Sequence, residues 1–130
     1  MKKILLLSLL FIGLISCSSS DDGNKANQIT PPSWIQGTWL LEGSPVSSGY
    51  KFSSNDFCLI ALTSATCHKD TLELYEGSEI TTNVTQEISD SNYSIEVTIG
   101  SSIQTYNFEK VSNTEIRWLN SPSDSVFTKQ

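Results

Sequence analysis

The chain has 130 residues, of which 17% are charged, and a formal net charge of −6. Its eight Lys and Arg form no cluster, so it lacks the basic surface that grips nucleic acid or the phosphates of lipid head groups. The length allows one domain with one modest hydrophobic core.

Residues 1–17, MKKILLLSLLFIGLISC, begin with Lys2 and Lys3 and continue through an apolar run from Ile4 to Ile15, interrupted only by Ser8 and Gly13. A bilayer span needs roughly 20 apolar residues, and this run gives way at once to Ser18-Ser19-Ser20-Asp21-Asp22. It therefore reads as a cleaved signal peptide, residues 1–16, rather than as an anchor. Leu14-Ile15-Ser16-Cys17 resembles the bacterial lipobox, which implies that Cys17 becomes the lipidated first residue. The serine and aspartate stretch after it resembles the surface-export signal of Bacteroidetes lipoproteins. Together these resemblances imply an outer membrane lipoprotein exposed on the cell surface, held to the membrane by acyl chains. Loss of Lys2 and Lys3 takes the formal charge from −6 to −8. Residues 17–33 are then expected to be a flexible tether and residues 34–130 the folded domain.

From Trp34 onward, short runs rich in Thr, Val, Ile, Tyr and Phe alternate with Gly, Asn, Ser, Asp and Pro, the chemistry of strands and turns. The expected strands are Gly37–Glu42, Gly49–Ser53, Phe57–Leu62, Thr71–Tyr75, Ile80–Ile88, Tyr93–Ile99, Ile103–Lys110, Glu115–Asn120 and Val126–Lys129. Alternation is clearest where Tyr93, Ile95, Val97 and Ile99 oppose Ser94, Glu96 and Thr98. No amphipathic helix of three turns is available to cover such a sheet, so it must close on itself. The expectation is an all-β fold, an antiparallel up-and-down barrel of about eight strands.

Ile35-Gln36-Gly37-Thr38-Trp39-Leu40-Leu41 resembles the Gly-x-Trp signature of lipocalins and of the lipocalin-like domains of small Bacteroidetes lipoproteins. The resemblance continues through Tyr50–Asp56 and Tyr106–Trp118. It implies a barrel whose closed end is plugged by Trp39, with Arg117 packed on the ring. It also implies an interior lined by inward residues, for which the candidates are Tyr50, Phe52, Leu72, Leu74, Ile95, Val97, Tyr106, Phe108 and Trp118. They form either the wall of a small apolar ligand's cavity or a solid core.

Catalytic chemistry finds no support in the sequence. The single histidine, His68, reads as a solvated turn residue, and no nucleophile elbow, metalloprotease helix or phosphate-binding loop exists. The chain is expected to be non-enzymatic, without metal or cofactor. Cys58 and Cys67 read either as a disulfide suited to an exported protein or as two buried thiols. Asp70-Thr71-Leu72 and Asp124-Ser125-Val126 resemble Bacteroidetes O-glycosylation sites, which would modify Thr71 and Ser125. Three functions remain open for an expected monomer. One is binding of a small apolar molecule. The second is protein binding of the inhibitor or immunity type, through the loops Gly43–Gly49 and Thr63–Asp70. The third is a structural role in the envelope.

Overall fold

A computed structural model describes residues 27–130. The signal segment and Cys17 lie outside the described residues. The described residues form a single curled sheet of nine antiparallel strands: β1 (Gly37–Leu41), β2 (Ser48–Phe52), β3 (Phe57–Ala61), β4 (Ser64–Cys67), β5 (Thr82–Ile88), β6 (Asn92–Ile99), β7 (Ser102–Lys110), β8 (Glu115–Trp118) and β9 (Ser125–Lys129). One short helix, α1 (His68–Tyr75), interrupts the series between β4 and β5.

Strand order across the sheet is β4-β3-β2-β1-β9-β8-β7-β6-β5. The order is an up-and-down meander in which the first and last strands pair, with Trp39 opposite Lys129 and Leu41 opposite Phe127. The sheet's two free edges, β4 and β5, fall in the middle of the chain. It is therefore a half-barrel, open along the β4/β5 seam. The β1–β2 pair is drawn so close that a Cβ on Gly49 would lie 1.9 Å from the Trp39 carbonyl oxygen, and only glycine fits there.

The inward faces follow the alternation expected from the sequence. Tyr93, Ile95 and Val97 on β6 are buried, as are Tyr106 and Phe108 on β7, and β6 and β7 pair along eight residues. The expected Thr71–Tyr75 strand is instead the second half of α1, while Ser64–Cys67, expected as a loop, is β4. Leu72 and Leu74 alternate with polar residues over five positions, too short a window to separate a strand from a helix. Three-dimensional context selects the helix. Asp56, in the β2–β3 turn, accepts hydrogen bonds through Oδ1 from the backbone N–H of Phe57 (2.7 Å) and of Lys69 (2.9 Å). It thereby caps the first turn of α1 from a distant part of the chain and places a carboxylate at the positive end of the helix. Lys69 and Glu73 add an i,i+4 pair at 3.7 Å.

Candidate functional site

The seam is where this fold departs from a continuous wall. Residues 27–34, a strap upstream of β1, run along β5 in the same direction. Asn27 Nδ2 donates to Thr82 Oγ1 at 2.9 Å, at the start of β5, and Trp34 Nε1 donates to the Ser89 carbonyl at 2.9 Å, just past its end. Between them Gln86 acts as a clamp. Its Oε1 accepts from the Thr30 backbone N–H (2.9 Å) and the Tyr93 hydroxyl (2.8 Å), while its Nε2 donates to the Gln28 carbonyl (2.8 Å). Ile29 and Ile35 enter the core, joined from the helix side by Leu72. The packed part of the fold thus reaches Ile29, upstream of the boundary expected at Trp34. Residues 27–33 of the expected tether are fastened to the domain.

A cleft of about 550 Å³ lies between the strap and α1. Ile29 and Leu72 supply its apolar floor, Asn27, Thr30 and Asn55 its neutral polar rim, and Lys69, Glu73 and Glu76 its charged helical side.

Side chains occupy the interior. The ring of Tyr50 on β2 lies 5.0 Å, centroid to centroid, from Phe108 on β7 and 5.0 Å from Phe127 on β9, and Phe52 lies 6.1 Å from Tyr93 on β6. Tyr50 with Phe108 and Phe52 with Tyr93 therefore meet edge to face across the axis, while Tyr50 and Phe127, on strands either side of β1, are tilted; such ring pairs are worth about 0.5–1.5 kcal/mol each beyond area burial. Of the nine expected interior residues, Tyr50, Phe52, Ile95, Val97, Tyr106 and Phe108 are buried in this core, Leu72 joins it from α1, and Trp118 packs at its margin. Leu74 does not, being 75% exposed, because a helix turns positions two apart to different sides.

His68 departs from its expectation as a solvated turn residue. It is the first residue of α1, 7% exposed, stacked on Phe57 at 4.9 Å and edge-on to Tyr106 at 5.7 Å. Its Nε2 finds no protein partner, and neither does Trp118 Nε1, whose ring packs on the same Tyr106 at 6.4 Å. Burial lowers the His68 pKa below its ordinary 6.5, with the Asp56 carboxylate opposing the shift. Burial raises the phenol pKa of Tyr50, Tyr93 and Tyr106 above 10.0.

On β1 Trp39 is fully buried and donates through Nε1 to the Ile35 carbonyl at 2.6 Å. The cation over its ring is not Arg117, as expected from the resemblance, but Lys129, with Nζ 5.1 Å from the ring centroid. Register explains the substitution. Lys129 is the direct partner of Trp39 across β1 and β9, whereas Arg117 faces outward beside Glu109 and bonds it at 3.0 Å. Gly37 makes room for this arrangement. Its φ is +130°, and a Cβ there would lie 2.8 Å from Lys129 Cε.

Cys58 and Cys67 form a disulfide joining directly opposed residues of β3 and β4. Asp56 lies near both sulfurs, but their thiols are consumed by the bond, so the trio offers no thiolate to a metal. Thr71 donates its hydroxyl to the Cys67 carbonyl at 3.0 Å, and Ser125 shares a hydrogen bond with Ser121 at 2.9 Å, so both expected glycosylation hydroxyls have protein partners. The expected loop Thr63–Asp70 is β4 and the opening turn of α1, whereas most of Gly43–Gly49 is the β1–β2 connection.

Sequence reasoning missed Lys129, Gln86, Asp56 and Ile29. Lys129 left a signal, since it follows Phe127 by two and so shares its inward face. Gln86 left none, being one polar residue among several on its strand. No protein-family model, curated protein or solved structure matches the chain.

Proposed function

We propose that the chain is an exported lipoprotein of the outer membrane, anchored through Cys17, whose lipocalin-like domain is a non-catalytic module that binds a protein partner at its surface. One observation carries the choice of surface over interior: Tyr50 and Phe108 touch across the axis of the half-barrel. A small apolar ligand would have to displace those rings. The strap cleft, with Glu73 and Glu76 on its helical side, is the concavity that suits a partner, and the acidic chain favours a cationic one by electrostatic steering.

Titration of the mature chain with a sixteen-carbon fatty acid, followed by Trp fluorescence, separates the two readings. The expected result is no saturable one-to-one quenching; saturable quenching would restore the apolar-ligand reading. Lysozyme serves as a cationic protein probe. Its binding is expected to weaken with added salt and with Glu73→Gln or Glu76→Gln.

A further inference from the structure

Both ends of the half-barrel expose apolar side chains, Ile88 (51%) and Val111 (43%) at one and a larger set at the other. At this second end lie the β1–β2 loop, the β3–β4 turn, the α1–β5 connection, the β6–β7 turn and the β8–β9 loop. Antiparallel order places these five connections together. Hydrogen bonds tie neighbours within the set: Leu62 N–H to the Ser47 carbonyl at 2.7 Å, and Gly100 N–H to the Thr81 carbonyl at 2.8 Å. This end exposes Val46 (48%), Leu62 (63%), Ile80 (43%) and Leu119 (45%). It also carries Glu42, Glu79 and Asp124, and its five connections contain no Lys or Arg.

Leu62 shows that this apolar character is more than incidental. Ala61 and Ser64 pair directly, so Leu62 and Thr63 are the two residues of a tight hairpin turn. Leu62 has φ +58° and Thr63 does not share the positive sign, the pattern of a type II′ turn, whose first central position favours glycine. A γ-branched apolar residue in that conformation strains the backbone and exposes apolar area. Strain retained at a turn points to a contact made by its side chain.

The chain outside the described residues supplies the occupant. Asn27 is bonded to Thr82 at the start of β5, so the strap enters the domain at this same apolar end. Nine residues, and so ten Cα–Cα steps, lie between Cys17 and Asn27, a reach of at most about 36 Å. We infer that this end rests on the membrane to which Cys17 is anchored, with Val46, Leu62, Ile80 and Leu119 in the interfacial layer of an electrically neutral lipid surface. The absence of basic groups and the presence of carboxylates select neutral head groups over anionic ones. The inference rests on the anchored reading above.

The test reconstitutes the lipidated mature chain in phosphatidylcholine vesicles. It compares amide hydrogen exchange with that of the same chain begun at Ser18, which keeps every described residue. Flotation with vesicles is scored first. Failure of the mature chain to float refutes the anchor and this inference with it. For a chain that floats, amides in residues 43–48, 62–63 and 119–124 are expected to slow roughly tenfold on vesicles, while those in residues 53–56 and 89–91 at the opposite end stay unchanged. Equal exchange in both states overturns the inference and leaves the anchor intact. Protection at the apolar end that grows with concentration in the Ser18 chain assigns that end to a second copy and also overturns it. Leu62→Gly is expected to raise thermal stability, by relieving the turn, while reducing protection on vesicles. A purely structural leucine would show no loss of protection.

Discussion

The sheet has two junctions, and they are built from opposite materials. Where β1 meets β9 the wall is closed by backbone hydrogen bonds, with Trp39 under Lys129 as its largest buried side chain. Where β4 and β5 fail to meet, the gap is filled by side chains: Ile29 from the strap, Leu72 from α1 and the Gln86 clamp. A backbone junction is generic and survives most substitutions, because every residue contributes the same groups. A side-chain junction depends on a few residues and can open without unfolding the wall behind it.

The widest test of that difference is Trp39→Ala. It removes the largest fully buried side chain at the closed junction and is expected to cost about 3–5 kcal/mol in urea denaturation, as a single global transition. Gln86→Ala acts on the seam instead. It removes the acceptor of the exposed Thr30 N–H and of the part-buried Tyr93 hydroxyl, for an expected cost of about 0.5–1.5 kcal/mol. Hydrogen exchange should show Thr30 released while β6 and β7 stay protected; uniform loss of protection would show that the two junctions open as one.

The smallest effect is expected from acid. Because the folded pKa of His68 is depressed, the unfolded chain binds its proton first. The contribution of the neutral imidazole is complete above the ordinary value of 6.5 and is lost as pH falls from there toward the lower folded value. Urea midpoints measured between pH 7.5 and 5 should decline, and His68→Phe should flatten that part of the profile. A slope unchanged by the substitution would place the titrating group elsewhere.

The antiparallel wall was legible in the sequence wherever one face is buried and the other wet. Tyr93-Ser94-Ile95-Glu96-Val97 declares its alternation because burial imposes it. Ser64-Ala65-Thr66-Cys67 declares nothing, since a strand with its first three residues exposed has no buried face to mark. Its place is set by the Cys58–Cys67 register and by the turn at Leu62. The seam was the least legible region. Asp56 caps a helix thirteen residues away, and Gln86 holds a segment more than fifty residues upstream. Contacts of that range leave no local pattern, so the strap read as tether and α1 as strand. Trp39 was expected to carry a cation on its ring, but the cation was assigned to Arg117 because strand register is a property of pairing and not of either strand alone.

The direction of the strap has a mechanical consequence. Residues 27–34 run parallel to β5, with Asn27 at the upstream end of the strap. A pull on the chain upstream of Asn27 that acts along β5 therefore runs along the strap. The bonds of Asn27, Thr30 and Trp34 to β5 are then loaded in shear and share the force, rather than parting one after another as they would if the strap were peeled outward. The same segment that covers the seam is thus its tow-line, and a pull from upstream draws on all of its attachments at once.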